Sequence, residues 1–315
     1  MTVRGVSFVV PVYNKQPYLR DVLAQIKGQR GDFERQYVFV DDGSTDGSLE
    51  RLRELTAGWD NLVIHEQKNS GSAVATNKGI ELATMPYVKF VDADDLIHTD
   101  ATETLLSILE GTDACLAYGN VQRYRDRDAL NLDAPISNPA WERMERPLRK
   151  AMFNSLFNPT QFLARTDALK DVGGCDERIV FSQEYALTMR LARRWDFIRV
   201  DAPIAFLPEE VEGRLSNNEG RQLQRVTRSV ANFLRDYPDV PWTLKQAICR
   251  RVAGRAWKFQ HRSCKAFWLT SRSFWRQYRC WLPVLSNHAD FVDHCAQDFE
   301  AADPRAMTPL SKGVS

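Results

Sequence analysis

Through roughly its first ninety residues the chain alternates short β-branched runs with segments of helical period, and this alternation narrows its possible folds more than any other feature. Ser7 to Val12, Tyr37 to Val40, Leu62 to His65 and Tyr87 to Val91 are short, continuously apolar and rich in Val, Ile, Phe or Tyr, the pattern of strands buried on both faces. Between them, Tyr18 to Lys27, Ser48 to Leu55 and Ala73 to Ala83 repeat apolar residues at helical spacing. Strand, helix, strand in this order predicts a Rossmann-like, mostly parallel α/β sheet. Such sheets bind ligands beyond the carboxyl ends of their strands, so those ends are where chemistry is expected.

The strand ends carry unusual residues. The first leads into Pro11, Val12, Tyr13 and Asn14, the second into Asp41, Asp42, Gly43, Ser44, Thr45, Asp46 and Gly47. Paired acids followed by a Gly and hydroxyl turn suit recognition of a nucleoside; an Asp-Gly turn with Ser44 or Thr45 capping a helix explains the turn but not the pair. Asn69, Ser70 and Gly71 then feed a helix containing Asn77, Lys78 and Gly79. A glycine there lets backbone N–H groups approach a phosphate, although a plain loop with a helix cap has the same sequence. The fourth strand runs into Asp92, Ala93, Asp94 and Asp95, three carboxylates within four residues. They repel one another unless a cation offsets them. Mg²⁺ or Mn²⁺ binds such acids while keeping water and substrate phosphates as further ligands; an acidic cap on a helix starting near Asp100 is the alternative.

In this order the motifs resemble those of family 2 glycosyltransferases of the GT-A fold, over residues 5 to 218. The resemblance implies a metal-dependent enzyme that moves a sugar, with inversion, from a nucleoside diphosphate to an acceptor hydroxyl, with uridine diphosphate the leading carrier. Pro11, Tyr13 and Asp42 then hold base and ribose, Asn69 and Gly71 complete the nucleotide site, Asp92 contacts ribose or donor sugar, and Asp94 binds Mn²⁺ or Mg²⁺. Val172, Gly173, Gly174, Cys175, Asp176 and Glu177 look like the family's GGFDE turn, with Cys in the aromatic position. Gln183 to Arg190 looks like its ED-x-x-L-x-x-R segment, which makes Glu184 the catalytic base, one methylene longer than the family's Asp. Asp95, Gly174, Asp176 and Arg190 are further candidate substrate contacts. Two departures stand out: Thr76 sits where many relatives carry Arg, and Val211 sits where some place a metal-binding His, leaving Glu210 or the diphosphate and water to complete the metal shell.

The expected organisation is a catalytic domain over 1–222, a helical extension over 223–302 and a disordered tail over 303–315. Pro135 to Lys150 is expected to be a surface loop. A hydrophobic content of 43% and a charged content of 26% are those of an ordinary globular chain. The apolar run from Val6 is too short for a signal peptide, and no window is long and apolar enough to cross a membrane, so a cytoplasmic protein is expected. The six cysteines have no CxxC or zinc-type spacing and read as reduced residues.

Net charge is +1, yet residues 240–289 hold ten Lys or Arg and no Asp or Glu. On a helical wheel from Trp257 to Leu282, Trp257, Phe267, Trp268, Phe274, Trp275, Tyr278 and Trp281 share an arc with Arg262, Lys265, Arg272, Arg276 and Arg279 beside it. Residues 245–282 therefore suit the inner face of an anionic membrane, as would fit a lipid-linked acceptor, with a saccharide acceptor equally open, in surface polysaccharide or glycolipid synthesis; packing of the same stripe on its own domain or a partner subunit is the competing reading. No nucleic-acid motif accompanies the basic residues. A polyisoprenyl phosphate acceptor, already ionised, and a non-catalytic nucleotide-sugar or membrane-binding protein are the alternative functions.

Overall fold

The structure, a computed structural model, describes residues 4–179, 183–209, 219–263, 272–280 and 287–302. The chain divides into two compact units, Met1–Leu148 with Ser155–Glu212, and Arg149–Asn154 with Gly213–Ser315.

The first unit is built on a nine-stranded sheet: β1 (Gly5–Val12), β2 (Glu34–Asp41), β3 (Leu62–Glu66), β4 (Tyr87–Phe90), β5 (Leu96–Ile97), β6 (Leu116–Tyr124), β7 (Trp141–Met144), β8 (Phe162–Arg165) and β9 (Phe197–Pro208). Their order is β3-β2-β1-β4-β8-β6-β9-β5, with β7 also paired to β9. The first four strands are parallel, as the alternation predicts, and β8 enters antiparallel beside β4. The helices α1 (Leu19–Lys27), α2 (Ser48–Leu55), α3 (Ser72–Leu82) and α4 (Ala101–Glu110) connect or follow these strands, and α6 (Thr166–Asp171) and α7 (Gln183–Ala192) come later. Val6, Phe8, Val10, Leu19, Ile26, Phe39, Leu105 and Leu106 form the core between β1, β2, α1 and α4. Helix α3 lies on β1 so closely that a Cβ at Gly79 would stand 2.3 Å from Val9 Cγ1.

The loop expected over Pro135 to Lys150 is corrected by the structure. It contains β7, in register from Trp141↔Val200 to Met144↔Phe197, and runs into α5 (Leu148–Phe153). This edge strand buries Met144 and exposes Trp141, Glu142 and Arg143, so it lacks the apolar alternation by which a strand is recognised in sequence.

The second unit holds α5 with α8 (Glu219–Asp236), α9 (Trp242–Ser263), α10 (Arg272–Arg279) and α11 (His288–Ala302). Val230, Phe233, Leu234, Val252, Ala256, Val292 and Phe299 are buried in it, and Arg235 of α8 pairs with Asp290 and Asp293 of α11. The wheel drawn from Trp257 to Leu282 thus falls partly on α9 and partly on α10, while residues 264–271 and 281–286 lie outside those described. Cys115, Cys175, Cys249, Cys280 and Cys295 are free and buried. Among the described residues no helix is long and apolar enough to cross a membrane.

The approach of α3 to β1 is directly testable. Gly79→Ala gains about 1 kcal/mol of helix propensity, but its Cβ must push the buried, β-branched Val9 aside. Overpacking of this kind costs about 1–3 kcal/mol. We expect a lower urea midpoint for Gly79→Ala; an unchanged or raised midpoint would show that the helix can lift off β1 freely.

Candidate functional site

The strand register assembles the site. β1 and β2 pair as far as Val12↔Asp41, so Tyr13 and Asp42 leave the sheet at one edge. Pairing of β1 with β4 stops at Val9↔Phe90. Pro11, which has no N–H to donate, therefore sits where only one strand flanks β1, the place a sheet tolerates proline. Asp92, Asp94 and Asp95 follow β4 at the same edge, and Tyr13 stands at the rim with 45% of its surface exposed.

The two acids at the end of β2 differ sharply. Asp42 Oδ1 accepts hydrogen bonds from Gln67 Nε2 (2.8 Å) and Ser70 N (2.8 Å), and its Oδ2 accepts from Gly71 N (2.9 Å). Asp42 thereby fixes the loop containing Asn69 and Gly71 against the strand end. Asn69 is exposed, and Gly71 is buried at φ +95°, which L side chains rarely adopt. Asp41 Oδ2 accepts from Gly43 N and Ser44 N, while its buried Oδ1 has no hydrogen-bond partner. The turn also holds the first strand end: Asn14 N donates to Ser44 Oγ (3.1 Å), Lys15 N to Ser48 Oγ (2.8 Å) and Gln16 N to Asp46 Oδ2 (3.1 Å).

The turn after β4 is held from two sides. Lys15 Nζ lies 2.7 Å from Asp94 Oδ2. Thr160 Oγ1 donates to Asp95 Oδ2 (2.7 Å) and accepts from Asp92 N (3.0 Å). Behind the turn Lys89 is fully buried on β4 and donates to the carbonyls of Thr160 and Phe90. Burial pushes its ammonium down to about 7, against the pull of the Asp95 and Asp92 charges. Among the described residues no group of three or more His, Cys, Asp and Glu side chains is arranged to hold a metal. Asp92 and Asp94 offer hard oxygen ligands, which fit Mg²⁺ or Mn²⁺ only if diphosphate oxygens and water complete the shell. Val211 and Glu210 lie outside the described residues.

Glu184, in the first turn of α7, reaches the same place. A narrow cavity is lined by Pro11, Thr76, Asp92, Cys175 and Glu184, which the sequence separates widely. Burial raises the Glu184 carboxyl to about 7; a hydrogen bond from its own backbone opposes this and the charge of Asp92 adds to it. The turn before α7 is clamped by α3: Cys175 N donates to Asn77 Oδ1 (2.7 Å), and Asn77 Nδ2 donates to Cys175 O (3.1 Å) and Glu177 Oε1 (2.7 Å). Gly174, at φ +66°, could carry no side chain here, since a Cβ would stand 2.3 Å from Asn77 Oδ1. Arg190 Nη1 donates to Gly174 O (2.9 Å), and buried Asp176 pairs with Arg178 (2.7 Å).

A roomier cavity of about 430 Å³, lined by His98, Gln122, Leu130, Ile136, Asp201 and Phe206 among others, contains none of the motif acids. Volume alone would have favoured it over the narrow cavity at Glu184. The geometry also brings in residues that sequence reading missed, Lys15, Lys89 and Thr160, and gives a separate place to Asp41, which the sequence offered only as half of a pair. Lys89 had a signal as the charged residue inside an apolar strand. Thr160 had none.

Glycosyltransferase GlyA of Streptococcus pneumoniae serotype 4 is 35% identical over 125 residues, covering 40% of this chain and 18% of that protein. A protein of Escherichia coli K12 named Uncharacterized glycosyltransferase YibD is 30% identical over 148 residues, covering 44% and 43%. The matched part thus spans less than half the length of either relative. Among solved structures, S. aureus TarS 1–349 in complex with UDP superposes with a TM-score of 0.63 at 17% identity, covering 95% of this chain and 92% of that one. Mannosyltransferase PcManGT from Pyrobaculum calidifontis, in complex with GDP-Man and Mn²⁺, gives 0.54 at 19%, covering 98% and 77%. These two establish the GT-A fold. Residues 7–173, more than half of the 315, match the model of glycosyl transferase family 2, and the chain belongs to that family.

Proposed function

We propose that this glycosyltransferase moves a sugar from a nucleoside diphosphate, uridine diphosphate foremost, to an acceptor hydroxyl with inversion, and that Glu184 is its base. The carrying observation is the shared cavity of Pro11, Asp92 and Glu184, which sets a nucleotide-side residue and a proton acceptor at one point. TarS in complex with UDP, a relative in fold, supports the choice of carrier.

Glu184 accepts the proton of the acceptor hydroxyl as that oxygen bonds to the anomeric carbon, the bond from that carbon to the diphosphate oxygen breaks, and the diphosphate leaves on the opposite face. Tyr13 at the rim offers a ring on which the base stacks, and the orphaned Asp41 Oδ1 is an acceptor for a base or ribose donor. Asp42 acts through the loop it holds, keeping Asn69 and Gly71 at the phosphates. A divalent cation bound by Asp94, with Asp92 beside it, would neutralise the charge growing on the leaving diphosphate. Asp95, Gly174, Asp176 and Arg190 shape the acceptor side from behind, each being engaged by a neighbouring protein group.

The acceptor is read as a saccharide or lipid-linked sugar of surface polysaccharide or glycolipid synthesis. Helix α10 supports a lipid-linked one, reached at the cytoplasmic face of the membrane. It exposes Trp275 (55%) and Tyr278 (56%) with Arg272 and Arg279 beside them, an aromatic and basic face suited to anionic headgroups.

Three outcomes are expected. Calorimetric titration of uridine diphosphate shows binding with Mn²⁺ that EDTA removes and Asp94→Ala abolishes; equal binding in all three conditions would remove the metal from the mechanism. Because a base works ionised and Glu184 titrates near 7, kcat/KM rises with pH through about 7 and levels off above it. Glu184→Gln lowers turnover by about 10²–10⁴-fold and flattens that limb; full turnover in Glu184→Gln would instead indicate an already ionised acceptor such as a polyisoprenyl phosphate. Finally, Asp42→Ala strands three donors and lowers unfolding stability by about 2–4 kcal/mol without any ligand. Asp41→Asn keeps an oxygen for Gly43 and Ser44, so it weakens nucleotide binding with little loss of stability; the reverse pattern would exchange the roles of the two acids.

A further inference from the structure

Lys15 belongs to none of the motifs, yet it is held more firmly than a surface lysine. Its backbone N–H donates to Ser48 Oγ, which is fully buried and donates to Asp46 Oδ1 (2.5 Å), and the neighbouring Asn14 and Gln16 are bound by the same turn. From this fixed base the side chain crosses to the acid turn after β4. There its ammonium lies 2.7 Å from Asp94 Oδ2, with the two side chains only 25% and 12% exposed, and 5.6 Å from the centre of the Tyr18 ring.

An ammonium in contact with a carboxylate oxygen takes the position a divalent ion needs. Two cations cannot share it without strong repulsion. Entry of a metal at Asp94 must therefore move Lys15, whose fixed backbone keeps the freed ammonium in the same site. The diphosphate that enters with the metal then offers the freed ammonium a new anionic partner on its flexible four-carbon stem.

We propose that Lys15 is a resident counter-cation of the donor site: it occupies the cation position on Asp94 in the free protein, is displaced by the divalent metal, and then pairs with the donor's diphosphate. This rests on the reading of Asp94 as the metal ligand. Its consequence is coupling. The free protein binds metal poorly because Lys15 competes, and donor and metal bind together because the donor supplies both metal ligands and a new partner for the lysine.

The test is Mn²⁺ binding by the full chain, read from the electron paramagnetic resonance signal of free Mn²⁺, with and without uridine diphosphate, in wild type, Lys15→Met and Lys15→Arg. Without nucleotide, Lys15→Met is expected to bind Mn²⁺ about fivefold more tightly than wild type, the scale of a half-buried ion pair, while Lys15→Arg stays near wild type. With Mn²⁺ saturating, Lys15→Met binds uridine diphosphate about fivefold more weakly, since a phosphate contact is lost. Equal or weaker Mn²⁺ binding by Lys15→Met in the absence of nucleotide overturns the proposal while leaving the metal reading intact, provided wild type binds Mn²⁺ with uridine diphosphate. Absence of Mn²⁺ binding in every protein, with and without nucleotide, overturns the metal reading and this inference with it.

Discussion

Mutual repulsion among Asp92, Asp94 and Asp95 is the constraint around which the first unit is arranged. Two unit charges about 5 Å apart at an effective dielectric of about 20 repel by about 3 kcal/mol, more than an exposed ion pair offsets. The chain answers with contacts from two lysines and a threonine. Lys15 reaches Asp94, Thr160 donates to Asp95 and receives the Asp92 N–H, and buried Lys89 feels the charges of Asp95 and Asp92. The support on Asp94 is a partly exposed, flexible side chain, whereas that on Asp95 is a fully buried threonine. The Asp94 contact is therefore the more exchangeable of the two, as the proposed cation site requires.

Lys89 carries the cost of this design. A fully buried ammonium is penalised by loss of water, and here that penalty outweighs the attraction of two carboxylates, bringing the group down to about 7. Its partners are carbonyl oxygens, one of them on Thr160, the residue that also bonds Asp95. Core, sheet and acid turn are thereby joined through one threonine in a short helical turn, Pro159–Gln161, that leads into β8. The antiparallel entry of β8 beside β4 is what delivers this threonine to the parallel half of the sheet.

The parallel half was legible because its strands are buried on both faces and its helices are amphipathic, so period and composition agree. Ser48–Leu55 stands where the spacing puts it, and the other elements of this half differ by a few residues at their ends. What the sequence concealed depends on contacts far apart in the chain. β7 was hidden because an exposed edge strand of four residues has no periodic signature. The difference between Asp41 and Asp42 was hidden because it arises from which carboxylate meets the backbone of residues 67–71, and adjacent residues of a strand point to opposite faces. Motif reading selected Asp42; the bonds show that residue committed to the loop, and leave an unpartnered oxygen on its neighbour. Thr160 was illegible altogether, since its role exists only once β8 has paired with β4.

Glu184 shows how position decides the strength of a base. In the first turn of a helix, free N–H groups favour the ionised carboxylate, and one such bond does lower its affinity for a proton. Burial in the cavity beside Phe90, Phe162 and Leu187 opposes this and prevails, with the negative charge of Asp92 in the same direction. A carboxylate held near 7 is a better proton acceptor than a solvated one and is still about half ionised at neutral pH, the compromise general-base catalysis favours. In the proposed reaction, the same burial means that charge arriving near Asp92 changes the proton affinity of Glu184 as well. Positive charge brought to that acid would lower the proton affinity of Glu184. A divalent cation held near Asp92 would in this way favour the ionised carboxylate of Glu184, whereas the negative charge of a diphosphate beside it would work against that effect.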